Sequence, residues 1–252
     1  MTVRVVGIDC ATDPRRVGYA FGRFSGGRTI LEHVAVGTVS WSPLEAIVDW
    51  LGDSAEPALL ALDAPLGWPA PLAEVLQSHQ AGQHLPGEAN RLFRRHTDRV
   101  IRERIGKQSL DVGADRIART AHAALGLLDE LRSRLGDPIP LAWSVPTSGR
   151  HAIEVYPAAT LAAHGIDARG YKAASGRGQR DRLLQAMDRR IEVRPAIPDV
   201  DRGSDGLDAA LCVLAAHDFL TGSAIAPDDR TPHRTEGWIW VRDPHQAADG
   251  DG

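Results

Sequence analysis

The stretch "VRVVGIDCA", residues 3–11, organises what surrounds it. Val3, Val5, Val6 and Ile8 form a β-branched run suited to a buried central strand, which has no structural use for a carboxylate. Asp9 nevertheless stands at its end. The pattern recurs in "LLALDAPLGWP", residues 59–69, where the apolar run 59–62 leads straight into Asp63. Open α/β sheets present functional groups at the carboxyl ends of neighbouring parallel strands, and two apolar strands that both end in aspartate match that arrangement.

The elements between the two runs make them neighbours. Strands are expected over residues 3–8, 17–24 ("VGYAFGRF") and 30–39, with "SGG" at 25–27 turning the second into the third, as in an antiparallel meander. "SPLEAIVDWLG", residues 42–52, reads as a helix capped by Ser42, entered at Pro43 and stopped at Gly52. A strand reached through a helix is normally parallel to its predecessor, so residues 59–62 should lie beside residues 3–8 and run the same way. Residues 70–145 are polar and mostly helical in period, include "IARTAHAALGLLDELRSRLG" (117–136), and read as a helical insertion or cap. A strand signal returns at residues 152–156, followed by helices in "GQRDRLLQAMDRRI" and "SDGLDAALCVLAAHDFLTG" and a short strand, "GWIWV". The expected organisation is one domain over residues 1–242 with a disordered tail at 243–252.

Composition narrows the function. A 252-residue chain with 43% hydrophobic residues can bury a sizeable core unaided. Cys10 and Cys212 fit neither a disulfide framework nor a zinc spacing, and no stretch resembles a signal peptide or a membrane span, so a cytoplasmic location is expected. A net charge of −4 argues against a protein that coats nucleic acid by bulk charge, although a local basic patch is compatible with it. Of the 29 basic residues only Lys107 and Lys172 are lysine, a bias that makes arginine abundance weak evidence of phosphate contact.

Two further acids join the strand-end pair. Glu154 falls inside "AIEVY", with Ile153 and Val155 on one face and the glutamate on the other, so in a covered sheet it must be paired, protonated or metal-bound. "LDAALCVLAAHDFL" is apolar around most of its circumference, yet contains Asp208, with Asp205 one turn earlier on the same side. Each acid has a local alternative: an Asx turn for Asp63 before Ala-Pro, an exposed edge strand for Glu154, a helix N-terminus for Asp205. Together, carboxylates converging from four places require a cation. Hard oxygen ligands select Mg²⁺ or Mn²⁺, and two such ions support in-line phosphodiester hydrolysis. The expected metal ligands are Asp9, Asp63, Glu154 and Asp208, with Asp205 as a further catalytic candidate.

The order of these elements and acids resembles the ribonuclease H-like fold of nucleases and Holliday-junction resolvases: a three-strand antiparallel meander plus parallel strands in a mixed sheet flanked by helices. "SDGLDAAL" is similar to the resolvases' D-x-x-D-A helix at Asp205, Asp208 and Ala209. More closely, the chain resembles the predicted-nuclease family called domain of unknown function 429. The matching stretches are "VGIDCA", "LALDAPLGWP", "RRHTDRVIR", "IEVYPAATLAAHG", "YKAASGRGQRDRLL", "SDGLDAALCVLAAHDFLTG" and "EGWIWV". The resemblance implies a metal-dependent nuclease acting on DNA or RNA, with Asp9, Asp63, Glu154 and Asp205 or Asp208 as the acids. It departs from the resolvases at Glu154, where they place no glutamate.

"RLFRRHTDRVIRERIGK", residues 91–107, puts Arg91, Arg94, Arg95, Arg99 and Arg102 on one helix face with Asp98 among them. Arg95, Arg99 and Arg102, with Lys172, are the expected substrate contacts, since guanidinium forks bind phosphate oxygens bidentately. The bland alternative is a solvated arginine-rich face. Two other functions suit the same element order. One is an ATP-dependent phosphotransferase of the sugar-kinase and actin fold, for which "DCAT" at 9–12 is a faint first phosphate loop but no second glycine-rich loop follows. The other is a non-catalytic binding scaffold.

Overall fold

The computed structural model describes residues 1–252 apart from 41, 53, 114, 195–202, 230–231 and 247–252. Its strands are β1 (Thr2–Asp9), β2 (Gly18–Ser25), β3 (Arg28–Val36), β4 (Ala58–Asp63), β5 (Arg150–Glu154) and β6 (Glu192–Val193). The helices are α1 (Pro43–Leu51), α2 (Ala70–Leu76), α3 (Ala89–Leu92), α4 (His96–Ile105), α5 (Asp115–Leu135), α6 (Pro157–Ala163), α7 (Arg177–Asp188), α8 (Asp205–Leu220) and α9 (His233–Glu236). A short 3-10 turn, Pro14–Arg16, follows β1. The six strands form one mixed sheet in the order β5-β4-β1-β2-β3-β6. β1 to β3 are the antiparallel meander, and β4 and β5 are parallel to β1. The strand directions are those expected above for a ribonuclease H-like sheet.

Strand alternation divides the core into two layers. Val3, Val5, Leu59 and Ala61 enter one cluster with α8, α6 and α7, whereas Val6, Ile8, Leu60 and Leu62 enter another with α1 and α5. The helix expected to stand over the sheet as an insertion or cap therefore packs flat against it: Ala124, Leu128 and Leu131 of α5 are buried beside Ile47 of α1. α8 is buried on almost every side, which explains its nearly uninterrupted apolar sequence. No helix among the described residues is long and apolar enough to cross a membrane.

Several short elements, among them α6, β6 and α9, carry no clear signal in the sequence. α6 begins at Pro157, directly after the β5 signal, and β6 is only two residues long. The expected last strand, "GWIWV", contributes an isolated bridge, Glu154 to Ile239, and Arg242 just after it bridges to Ala224. The expected tail at 243–252 lies outside the described residues from 247 onward. Before that point Asp243 donates its N–H to the Ser223 carbonyl and lies 3.7 Å from Arg104.

α8 comes close to the sheet because glycines face it. A methyl group on Gly7 would overlap the Ala209 carbonyl oxygen, and one on Gly18 would overlap that of Asp205. These are backbone atoms of a buried helix and cannot step aside. Gly7→Ala is expected to cost about 3 kcal/mol of stability by overpacking, read as a lowered urea midpoint. Gly178→Ala, on α7 where the added methyl meets nothing within 4 Å, is the neutral-to-stabilising control.

Candidate functional site

Asp9 and Asp63 are register partners at the carboxyl ends of parallel β1 and β4. Residues 3 and 5, like 59 and 61, face α8, so the alternation carries Asp9 and Asp63 to that same face. Asp208 meets them from the first turn of α8. Its carboxylate is 2% exposed, accepts a 2.7 Å hydrogen bond from the Tyr171 hydroxyl on Oδ1, and lies 2.9 Å from Lys172 Nζ through Oδ2. Asp205 sits farther out, 3.5 Å from Arg16 Nη2. Ser204 is the N-cap residue of α8 but makes no side-chain capping bond.

The electrostatics follow from this crowding. Burial, then the charges of Asp208, Asp63 and Asp205, hold the Asp9 carboxyl well above the ordinary carboxylate range. Burial first and Asp208 second push Asp63 up to about 7. Burial raises Asp208 too, while Lys172 and Tyr171 pull it back down. The field also acts on Cys10, whose thiol is pushed up by burial, Asp63 and Asp9, so it is no thiolate nucleophile.

Glu154, expected among the metal ligands, is instead committed to Arg95, although its charge still contributes to raising Asp63. It pairs in register with Leu62, whose side chain enters the α1/α5 layer, so it points away from the face that carries Asp63. Arg95 grips it through two 2.7 Å hydrogen bonds, Nη1 to Oε2 and Nη2 to Oε1, and the Leu66 N–H adds a third at 3.0 Å. Arg95 spends its other donors on Asp98, at 3.0 and 3.1 Å, and on the Glu236 carbonyl at 3.2 Å. The expected substrate contact Arg95 is thus a buried structural cation, 1% exposed, that ties α4 to β5 and the chain near α9.

Of the other expected contacts, Arg99 donates to the Arg94 carbonyl and Arg102 to Gln108 Oε1. Both line a hollow with Asn90 and Glu103 that shares no residue with the aspartate cleft. Lys172 alone of the four faces the aspartates. The cleft's remaining cations are ones the sequence reading passed over: Arg16 beyond β1, and Arg116 and Arg119 at the start of α5, beside Thr12, Thr120 and Ser204. The helical period of 116, 119, 120 and 123 was visible in the sequence, but nothing local aimed that face at Asp9.

Among the described residues, no three carboxylate, imidazole or thiolate groups are placed to hold one ion together. A smaller donor set remains. No described donor hydrogen-bonds to Asp9 or Asp63, and their hard oxygens repel each other, which suits a Mg²⁺ or Mn²⁺ ion carried by one or two carboxylates with water and substrate phosphate completing the shell.

The family described as "Protein of unknown function (DUF429)" matches residues 7–232. The chain belongs to this family. The family match begins two residues before Asp9 and so takes in Asp9, Asp63 and Asp208. No curated protein matches the chain. Among solved structures, "T. thermophilus RuvC in complex with Holliday junction substrate" is similar at 12% identity and a TM-score of 0.31, over 86% of this chain and 94% of that one.

Two stability measurements check these placements. Arg95→Ala leaves Glu154 and Asp98 buried without their cation and is expected to cost about 3–5 kcal/mol in chemical denaturation. Arg95→Lys should recover little of it, because an ammonium cannot reproduce the fork. For Asp63, the unfolded chain ionises near 3.8 whereas the folded chain holds its proton to about 7. Stability should therefore fall as pH rises between those values and level off above, since the folded state binds the extra proton. Asp63→Asn removes the Asp63 share of that loss and leaves the part due to Asp9 and Asp208. At pH 8 it should be the more stable protein, by roughly 2 kcal/mol once water at the cleft is allowed to screen the charges.

Proposed function

We propose that the protein is a phosphodiesterase of nucleic acid, DNA or RNA, that works with Mg²⁺ or Mn²⁺. One observation carries the reading: Asp9 and Asp63 on paired parallel strands meet Asp208 of α8 beside a cleft whose walls bear Arg16, Arg116, Arg119 and Lys172. Buried like charges are costly to stability, and their persistence beside a cationic cleft is the signature of a functional group rather than a structural one.

Asp9 and Asp63 are the carboxylates assigned to hold the ion, and Glu154, committed to Arg95, is left out of the set. A bound divalent ion supplies a water of lowered pKa and offsets charge on the phosphate. Tyr171 and Lys172 hold Asp208 by both oxygens, which keeps a third negative charge close without letting it swing into the cleft. Arg116 and Arg119 are exposed, and neither has a carboxylate partner among the described residues, so their forks are available for nonbridging phosphate oxygens.

With Mn²⁺ or Mg²⁺ present, the purified protein is expected to cleave single-stranded or branched oligonucleotides, and EDTA should stop it. Asp9→Asn should lower the rate by about 100-fold or more while leaving the circular dichroism spectrum intact. Arg119→Ala should raise KM more than it lowers kcat. Cleavage that survives both EDTA and Asp9→Asn would remove the basis for this function.

A further inference from the structure

The aspartate cleft continues past Asp9. Cys10, Ala11 and Thr12 line both the cleft and an adjoining hollow of about 320 Å³, within the range of small-ligand sites. The chemistry changes between the two. Val17, Pro43, Leu44, Ala123 and Leu127 make the hollow largely apolar, with His122 and Glu130 supplying polar groups. α5 runs along both: Arg116, Arg119 and Thr120 in the cleft, then Ala123, Gly126 and Leu127 one and two turns later in the hollow.

Gly126 adds an independent observation. It lies inside a 21-residue helix, where glycine costs about 1 kcal/mol relative to alanine. Its φ is not positive, and a methyl group there would meet no atom within 4 Å. Neither backbone conformation nor packing inside the protein calls for glycine at this position. What its missing side chain leaves open is the wall of the hollow.

We infer that this hollow receives an unpaired nucleobase of the nucleotide whose phosphate lies in the aspartate cleft, so that the substrate is single-stranded or locally unpaired nucleic acid. The inference rests on the function proposed above and adds its substrate class. A base is tethered to its phosphate through one sugar, which suits two pockets sharing a wall. Aliphatic sides accept its flat faces, and His122 and Glu130 offer hydrogen bonds to its edge. A base stacked and paired within a duplex cannot enter such a pocket without leaving the stack.

The test uses two fluorescent oligonucleotides of equal length, one carrying its bases and one entirely abasic. Affinities are measured by anisotropy in EDTA, and cleavage is followed separately in Mn²⁺. The wild-type protein should bind the base-bearing strand about tenfold more tightly, the equivalent of one well-seated base. Gly126→Leu and Ala123→Leu, which fill the hollow with residues a helix favours, should bind both strands alike, at the abasic level. Equal wild-type affinities, or a preference that survives in both filled variants, would overturn the inference. The two failures separate cleanly: base-dependent binding without cleavage counts against the nuclease, whereas cleavage without base preference counts against the base pocket alone.

Discussion

The seating of α8 against the sheet is the constraint from which the rest of the structure follows. A helix that is buried on nearly every side must lie close to the strands beneath it, and it does so over Gly7 and Gly18, where any side chain would strike its backbone carbonyls. That approach brings Asp208 to the carboxyl ends of β1 and β4, where Asp9 and Asp63 already stand side by side. The glycines are thus as necessary to the candidate site as the acids.

Two groups of buried charge in this protein are handled in opposite ways. Around Arg95, Glu154 and Asp98 are matched by guanidinium donors at 2.7–3.1 Å, and the cluster locks α4 to β5. At the other site three aspartates are crowded together with Lys172 as the one cation in salt-bridge contact among the described residues and the Tyr171 hydroxyl as a further donor, and burial first, then neighbouring charge at Asp9 and Asp63, raises their carboxyls. The first arrangement resolves its electrostatic cost within the fold. The second leaves part of that cost standing, which a charged ligand would relieve. The contrast separates structural from functional acids in a way that residue type alone does not.

α5 shows how one element serves both packing and recognition. Ala124, Leu128 and Leu131 hold it to the sheet as a core layer, while the stripe beside them carries arginines at the cleft and small or apolar residues beyond. The periodicity announced an amphipathic helix. It did not reveal that the polar stripe contains a second surface with its own chemistry, because hydrophobic spacing reports only which side is buried.

The amino-acid sequence by itself determined the meander, the parallel return of β4, the buried character of α8, and Asp9, Asp63 and Asp208 as unusual acids. Each of these is a local signal: an apolar run ending in a carboxylate, or a charge inside an apolar helix. Tertiary structure alone decided which charges meet. Alternation along β5 told that Glu154 and Ile153 lie on opposite faces, but only the pairing of Glu154 with Leu62 set which face looks toward the aspartates, because a one-residue change of register exchanges the two. Likewise the arginines of residues 91–107 look alike on a helical projection. Arg95 became an interior cation, while Arg116 and Arg119 became the cleft's, because the docking of whole helices, rather than their sequence, chooses a charge's partners.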